Sequence, residues 1–207
     1  MASVGAFLRL LGAGWTLVRN DALLPRELDG VYSPGVRALA DGLRMFATDR
    51  GGRPGERLAR SLQGLGPVAI KLGQLLSTRG DIFGRVFAED MGHLKDRLPP
   101  FPLTVARAEV ERELGRPIGA LFATFGEPVA AASLAQAHDA TLLDGRRVAV
   151  KVLRPGIDRR VAEDSEVLAL AARLIERLAP LARRLEPVKL ADTVIRATEL
   201  ELDLRLE

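Results

Sequence analysis

An α+β fold is predicted from three features of the sequence. Helical apolar stripes dominate up to residue 114, short alternating runs replace them between 122 and 153, and long helical stripes return from 158. Within the alternating stretch, Asp144-Gly145 separates TLL from RRVAVKVL, a two-residue hairpin signal that makes the sheet small and antiparallel.

The elements follow in order. Residues 4–18, VGAFLRLLGAGWTLV, form an apolar helical stretch that holds the single Trp, includes Arg9 and is followed by Arg19. Two readings stay open for it: a helix packed on the rest of the chain, which its three glycines favour, and a helix lying in a membrane interface. Val36, Leu39, Ala40 and Leu43 suit a helix near 35–47, RGGRPGE at 50–56 reads as a loop, and Arg57 to Leu62 is helical again. Gly64 and Gly66 break that run, and Pro67 at a first helical position opens PVAIKLGQLLST over 67–78. Asp81 to Arg97 is expected to be helical in part, ended by PPFP at 99–102. Thr104 serves as the expected N-cap of a helix running to Leu114.

Strands are predicted near 122–130, 135–142 and 146–153. In the last, Val148, Val150 and Val152 face one way, and Ala149, Lys151 and Leu153 the other. Pro155-Gly156 leads out to a helix over 158–178, Pro180 and Pro187 delimit a short helical connection, and 188–207 is a closing helix. Three segments result: a helical segment over 1–55, a helical extension over 56–121 and a sheet-based lobe over 122–207.

Composition narrows the chemistry. The 207 residues, 47% apolar and 28% charged, suit a globular core. With no Cys there is no thiol nucleophile, thiolate zinc site or disulfide, and His93 and His138 stand too far apart for a local metal motif. The 27 acids nearly balance 30 bases, and aromatics make up 4%, which argues against a nucleic-acid partner. No uncharged apolar stretch approaches the ~20 residues of a membrane span, and the start lacks the pattern of a signal peptide, so a cytoplasmic chain is expected. Only four of the basic residues are lysines, Lys71, Lys95, Lys151 and Lys189. In so arginine-rich a chain a lysine suggests a need for a compact ammonium group.

Two of those lysines sit in patterned surroundings. VAVK at 148–151 puts Lys151 on the last strand of a sheet whose first turn is AAAS, Ala130, Ala131, Ala132 and Ser133. That is the layout of a kinase-type nucleotide lobe, in which a turn between the first two strands covers phosphates and a strand lysine neutralises them. Each alanine Cβ holds a ligand further from the backbone than glycine would. KLGQ at 71–74 places Lys71 and Gln74 on one helical face, and Gly73 removes a side chain beside them so that something can approach closely. ELDLRLE at 201–207 gathers Glu201, Asp203 and Glu207 on the closing helix; as an ordinary surface helix it would pair Glu201 with Arg205.

Taken in this order, GPVAIKLGQLLSTRGDIFG at 66–84, DRLPPF at 96–101, PVAAASLAQAHDATLLDGRRVAVKVLRPGI at 128–157 and ELDLRLE resemble the UbiB family of atypical kinase-like proteins, over roughly residues 57–207. The resemblance implies a protein-kinase-like N-lobe, a small antiparallel sheet with a C-type helix, preceded by a helical KxGQ extension that packs over the nucleotide cleft. It implies that Lys71 and Gln74 point into that site, that Ala130 to Ser133 replace a glycine loop, and that Lys151 pairs with phosphate. Glu201 and Asp203 match an ExD motif with Glu201 as partner of Lys71, and Glu207 matches the glutamate that pairs with Lys151. The two glutamates would address both lysines from one helix. ATP or ADP with Mg²⁺, and a role in ubiquinone (coenzyme Q) biosynthesis at the cytoplasmic face of the inner membrane, are implied as well. Membrane lipid and ubiquinone-pathway proteins are the partners such a role implies. The catalytic loop, the metal-binding Asp and the C-lobe are expected beyond the residues given, so none of these residues is assigned to catalysis or metal binding. The rival reading is a non-catalytic nucleotide- or lipid-binding regulatory module.

Overall fold

The computed structural model describes residues 4–23, 34–48, 51–92, 94, 98–178, 183 and 185–206. Glu207, His93, Lys95, the Asp96-Arg97 part of DRLPPF, and Pro180, Leu181, Ala182 and Arg184 of the connection to Pro187 lie outside the described residues. The chain divides into two compact units, Met1–Leu94 with Val161–Leu200, and Lys95–Arg160 with Glu201–Glu207.

The first unit is helical: α1 (Val4–Arg19), α2 (Pro34–Arg44), α3 (Pro54–Leu65), α4 (Pro67–Ser77), α5 (Gly80–Phe83) and α6 (Arg85–Gly92). Helix α3 begins at Pro54, inside the stretch read as a loop. The reason is a cap that glycine and proline obscured: Pro54 occupies the first helical position and the Glu56 side chain accepts a hydrogen bond from the Arg53 N–H (3.0 Å). Gly66, at φ 119°, takes the sharp turn into α4 that an L side chain resists. Ala59 and Leu62 of α3 pack with Met91 of α6 and with Leu94. Buried Arg57 fixes the corner where α1 ends: its Nε donates to the Asp21 carbonyl (3.1 Å), Nη1 donates to the Gly52 carbonyl (2.9 Å), and Nη2 lies 3.6 Å from the Asp21 carboxylate. Asn20 Nδ2 adds a bond to Ser61 (2.9 Å).

The second unit holds α7 (Leu103–Leu114) and the sheet β1 (Phe122–Ala131), β2 (Ala135–Leu142) and β3 (Arg147–Leu153), antiparallel in the order β1-β2-β3. The strands lie where the alternation put them. Val148, Val150 and Val152 face a core that includes Ala106 and Val110 of α7, Phe122, Phe125 and Ala140. Burying aliphatic and aromatic side chains of this size contributes about 1.5–3 kcal/mol each, so this face anchors the sheet. Helix α7 is capped by the Pro102 carbonyl, which accepts from Val105 (3.0 Å) and Ala106 (3.1 Å); Thr104 lies inside the first turn and is not the N-cap. The β2–β3 hairpin also differs from the two-residue turn. Leu142 N–H donates to Arg146 O (2.9 Å) and Gly145 N–H to Leu142 O (3.0 Å), leaving Leu143, Asp144 and Gly145 as a three-residue loop with φ positive only at Gly145 (87°).

Two longer helices follow, α8 (Ile157–Leu178) and α9 (Pro187–Leu202). The helix read over 188–207 stops at Leu202, and a short 3₁₀ turn occupies Leu204–Leu206. Asp203 breaks it by bonding locally: its carboxylate accepts from the Arg205 N–H (3.2 Å) and from both Nε and Nη2 of Arg205 (2.7 Å each). Arg205 thus pairs with Asp203, not with Glu201 as the ordinary-helix reading had it. Glu201 lies in the last turn of α9, and Glu207, the second glutamate of that reading, lies outside the described residues.

Candidate functional site

The open face of the sheet carries the site. Strand register places Ala130 opposite Ala137 and Ala137 opposite Lys151, a row across all three strands. Because side chains alternate, this row faces away from the valine side of β3, whose residues enter the core. Ala137 flanks Lys151 directly and Ala130 lies one strand further along the row, so the two positions beyond the lysine carry only methyl groups. Lys151 and Ala130 are exposed, and a cleft of about 1030 Å³ opens over them, lined also by Ala131, Ala132, Pro100 and Gln136. Pro128 and its neighbours break the β1 register, which is tolerated because β1 is an edge strand.

Of the four turn residues, Ala130 and Ala131 belong to β1. Ala132 N–H donates to the Ala135 carbonyl (2.8 Å), so Ser133 and Leu134 form the tight turn, with Ser133 buried. The alanine-rich segment and Lys151 are therefore brought together in one cleft of one unit. Chemically, this is a concave face with a lysine cation on its floor and alanines at the other two positions of the central row, suited to an anionic ligand with a flat apolar part.

Three residues that sequence reasoning missed shape the same cleft. Arg154 Nε donates to the Ala132 carbonyl (3.0 Å) and Nη2 to the Pro99 carbonyl (3.0 Å). Gln136 is buried, accepting from the Phe101 N–H (2.9 Å) and donating to the Phe101 carbonyl (3.2 Å). Its Nε2 also lies 2.8 Å from Nε2 of His138, whose Nδ1 lies 2.8 Å from the Gly126 carbonyl. The amide donor and the carbonyl acceptor together select the Nδ1–H tautomer of a neutral ring. His138 stacks on Phe125 at 4.8 Å, so both ring nitrogens and one ring face serve structure. The LRP tripeptide after VAVKV was the one local signal for Arg154; nothing in the spacing pointed to Gln136.

Lys71 and Gln74 lie on α4 of the first unit and are half-buried. Gly73 between them faces inward: a Cβ there would meet Leu94 Cδ1 at 2.1 Å, Met91 Cε at 3.0 Å and Leu62 Cδ1 at 3.1 Å. The close approach that Gly73 permits is made by the unit's own core. Glu201 and Asp203 belong to the second unit, and the Arg205 guanidinium, bonded to Asp203, holds that carboxyl below its ordinary range, aided by the Arg205 N–H. Among the described residues no group of three or more His, Asp or Glu is placed to hold a metal ion, and no helix is long and apolar enough to cross a membrane.

Comparison with known proteins adds the following. The description "ABC1 atypical kinase-like domain" matches residues 93–207. The "Probable protein kinase UbiB" of Marinobacter nauticus is 45% identical over 154 residues, 74% of this chain and 28% of that protein. The protein so named in Shewanella pealeana is 41% identical over 189 residues, 90% of this chain and 34% of its own length. That of Cellvibrio japonicus is 40% identical over 205 residues, 98% of this chain and 36% of its length. The chain thus spans about a third of the length of the curated relatives it matches. Among solved structures, the complex of Rv3197 with erythromycin from Mycobacterium tuberculosis aligns with a TM-score of 0.44 at 30% identity, covering 70% of this chain and 37% of that one.

Proposed function

The chain belongs to the ABC1 atypical kinase-like family, and from that premise we propose that it supplies the nucleotide-holding lobe of a UbiB-type atypical kinase or ATPase. In this reading it binds ATP or ADP with Mg²⁺ and supports ubiquinone biosynthesis. The observation that carries the reading is the row Ala130, Ala137 and Lys151 on the floor of one open cleft. Lys151 neutralises phosphate, while the small side chains admit the nucleotide against the sheet. Phosphoryl transfer depends chiefly on positioning and charge neutralisation, and this lobe supplies part of both. Mg²⁺, when bound, would neutralise the phosphates further; the described residues offer no carboxylate cluster to hold it. Lys71 and Gln74 of the KxGQ match, and Glu201 and Asp203 of the ExD match, belong to the same reading, as does the pairing of Lys151 with Glu207. Calorimetric titration of Mg-ADP into the 207-residue chain tests it: saturable heat is expected, and no heat up to millimolar nucleotide contradicts it.

A second reading, peripheral membrane association, is supported by α1. Val4, Leu8, Leu11 and Trp15 form one exposed apolar stripe, and Trp15 meets Phe46 with ring centroids 5.6 Å apart. A helix of this kind binds an interface through buried apolar area. Co-sedimentation with phosphatidylglycerol vesicles is expected to fall roughly tenfold in a Leu8→Asp, Leu11→Asp double variant; unchanged sedimentation contradicts this reading.

A further inference from the structure

Arg154, the first residue after β3, turns back across the tip of the alanine-rich hairpin. Its own N–H donates to the Leu134 carbonyl (2.9 Å), so the residue is fixed to the turn at its backbone as well as its side chain. Its guanidinium reaches the Ala132 carbonyl with one donor and the Pro99 carbonyl with another, each at 3.0 Å. It also lies 5.7 Å from the centre of the Phe101 ring. One planar group thereby ties together two chain segments that have no backbone continuity.

The second tie is Gln136, whose amide pairs in both directions with the backbone of Phe101 and is itself oriented by His138. Residues 98–101 are thus strapped alongside the β1–β2 turn from two sides. Leu98 and Pro100 of the strap, Ala132 of the turn and Gln136 all line the cleft that has Lys151 on its floor.

We propose that Arg154 is a positioning residue that joins the alanine-rich turn and the 98–101 strap into one preset wall of the cleft, so that the turn receives its ligand already ordered. The inference rests on the nucleotide reading above and adds to it a residue that acts through the cleft wall and is not one of the residues lining the cleft. A glycine loop closes on its ligand and loses freedom in doing so; a turn held at the Ala132 carbonyl has lost that freedom beforehand, which favours binding by pre-organisation. The two-donor bridge needs a planar fork. Lysine keeps the charge but presents its donors from a single point, so it reaches one carbonyl or the other and does not span both.

The experiment compares the full chain with Arg154→Ala and Arg154→Lys, using Mg-ADP as the probe and ¹H–¹⁵N spectra of the ligand-free proteins. Spectra come first. Ala132 and Ser133 are expected to give single sharp amide signals in the wild type, and broadened or doubled signals in both variants, while signals from β2 and β3 residues away from the turn persist and report an intact sheet. Mg-ADP affinity is expected to fall by about tenfold in both variants. Full recovery of affinity and of the Ala132 signal in Arg154→Lys would make the role one of charge and overturn the proposal. Wild-type signals and affinity in Arg154→Ala would overturn it as well. If the wild type itself fails to bind Mg-ADP, the nucleotide reading falls, while the Ala132 and Ser133 signals still decide whether Arg154 orders the turn.

Discussion

Lys151→Ala is expected to weaken Mg-ADP binding by roughly 10- to 100-fold in calorimetric titration, the largest functional effect of any single substitution in the cleft. Hydrogen bonds to charged groups contribute about 1.5–3 kcal/mol, and each 1.4 kcal/mol is a factor of ten in affinity. Lys151 faces the open side of the sheet, away from the valine core, so its removal takes away the cation without opening a cavity. The variant should therefore keep the thermal stability of the wild type. Lys151→Arg is expected to rescue poorly, because a bulkier planar group on the row with Ala137 displaces the compact point charge. Equal binding by wild type and Lys151→Ala would remove Lys151 from the site.

The largest effect on stability is expected from Arg57→Ala. The Arg57 and Asp21 side chains are 4% and 7% exposed, so deleting the arginine strands a buried carboxylate and two backbone carbonyls at once. Removing one partner of a buried ion pair costs about 3–5 kcal/mol, a large share of the ~5–15 kcal/mol that holds a typical domain together. The urea midpoint of the helical unit should fall accordingly. By contrast, Arg146, which pairs with Asp144 at the exposed hairpin, should change stability by less than about 1 kcal/mol when truncated. A midpoint for Arg57→Ala within experimental error of the wild type would show that the Asp21 corner is hydrated and not buried.

Local periodicity made the sheet legible. Val148, Val150 and Val152 alternate with Ala149 and Lys151, and a period of two admits one assignment of faces once the valines are known to seek the core. Lys151 and the alanines were legible for the same reason, since they belong to the strands that periodicity located. Features fixed by partners distant in sequence escaped it. Arg154 meets Pro99 across 55 positions and Gln136 meets Phe101 across 35, separations that no local spacing encodes. Arg57 was hidden among many arginines, most of which a composition-based reading assigns to the surface. Gly73 was read as making room for an approaching group, and its room is filled by Leu62, Met91 and Leu94 because the facing helices are not visible in KLGQ.

Turn chemistry was legible in position and ambiguous in detail. Asp144-Gly145 marked the hairpin, yet only Gly145 takes positive φ, so the turn gained a residue and Asp144 became the acceptor for the Arg146 N–H (3.1 Å). At the other end of the chain, Asp203 carries a side chain that competes with the helical backbone for hydrogen bonds. The apolar stripe of 188–207 gave no hint of that competition, and Arg205 decides it.

The most direct measurement is a methyl spectrum of the chain labelled at alanine, recorded as Mg-ADP is added. The cleft reading predicts that the signals of Ala130, Ala132 and Ala137 move together and saturate, while Ala106, buried beneath the opposite face of the sheet, stays in place. Saturating shifts confined to the alanines of the helical unit, or no shift anywhere, would contradict it.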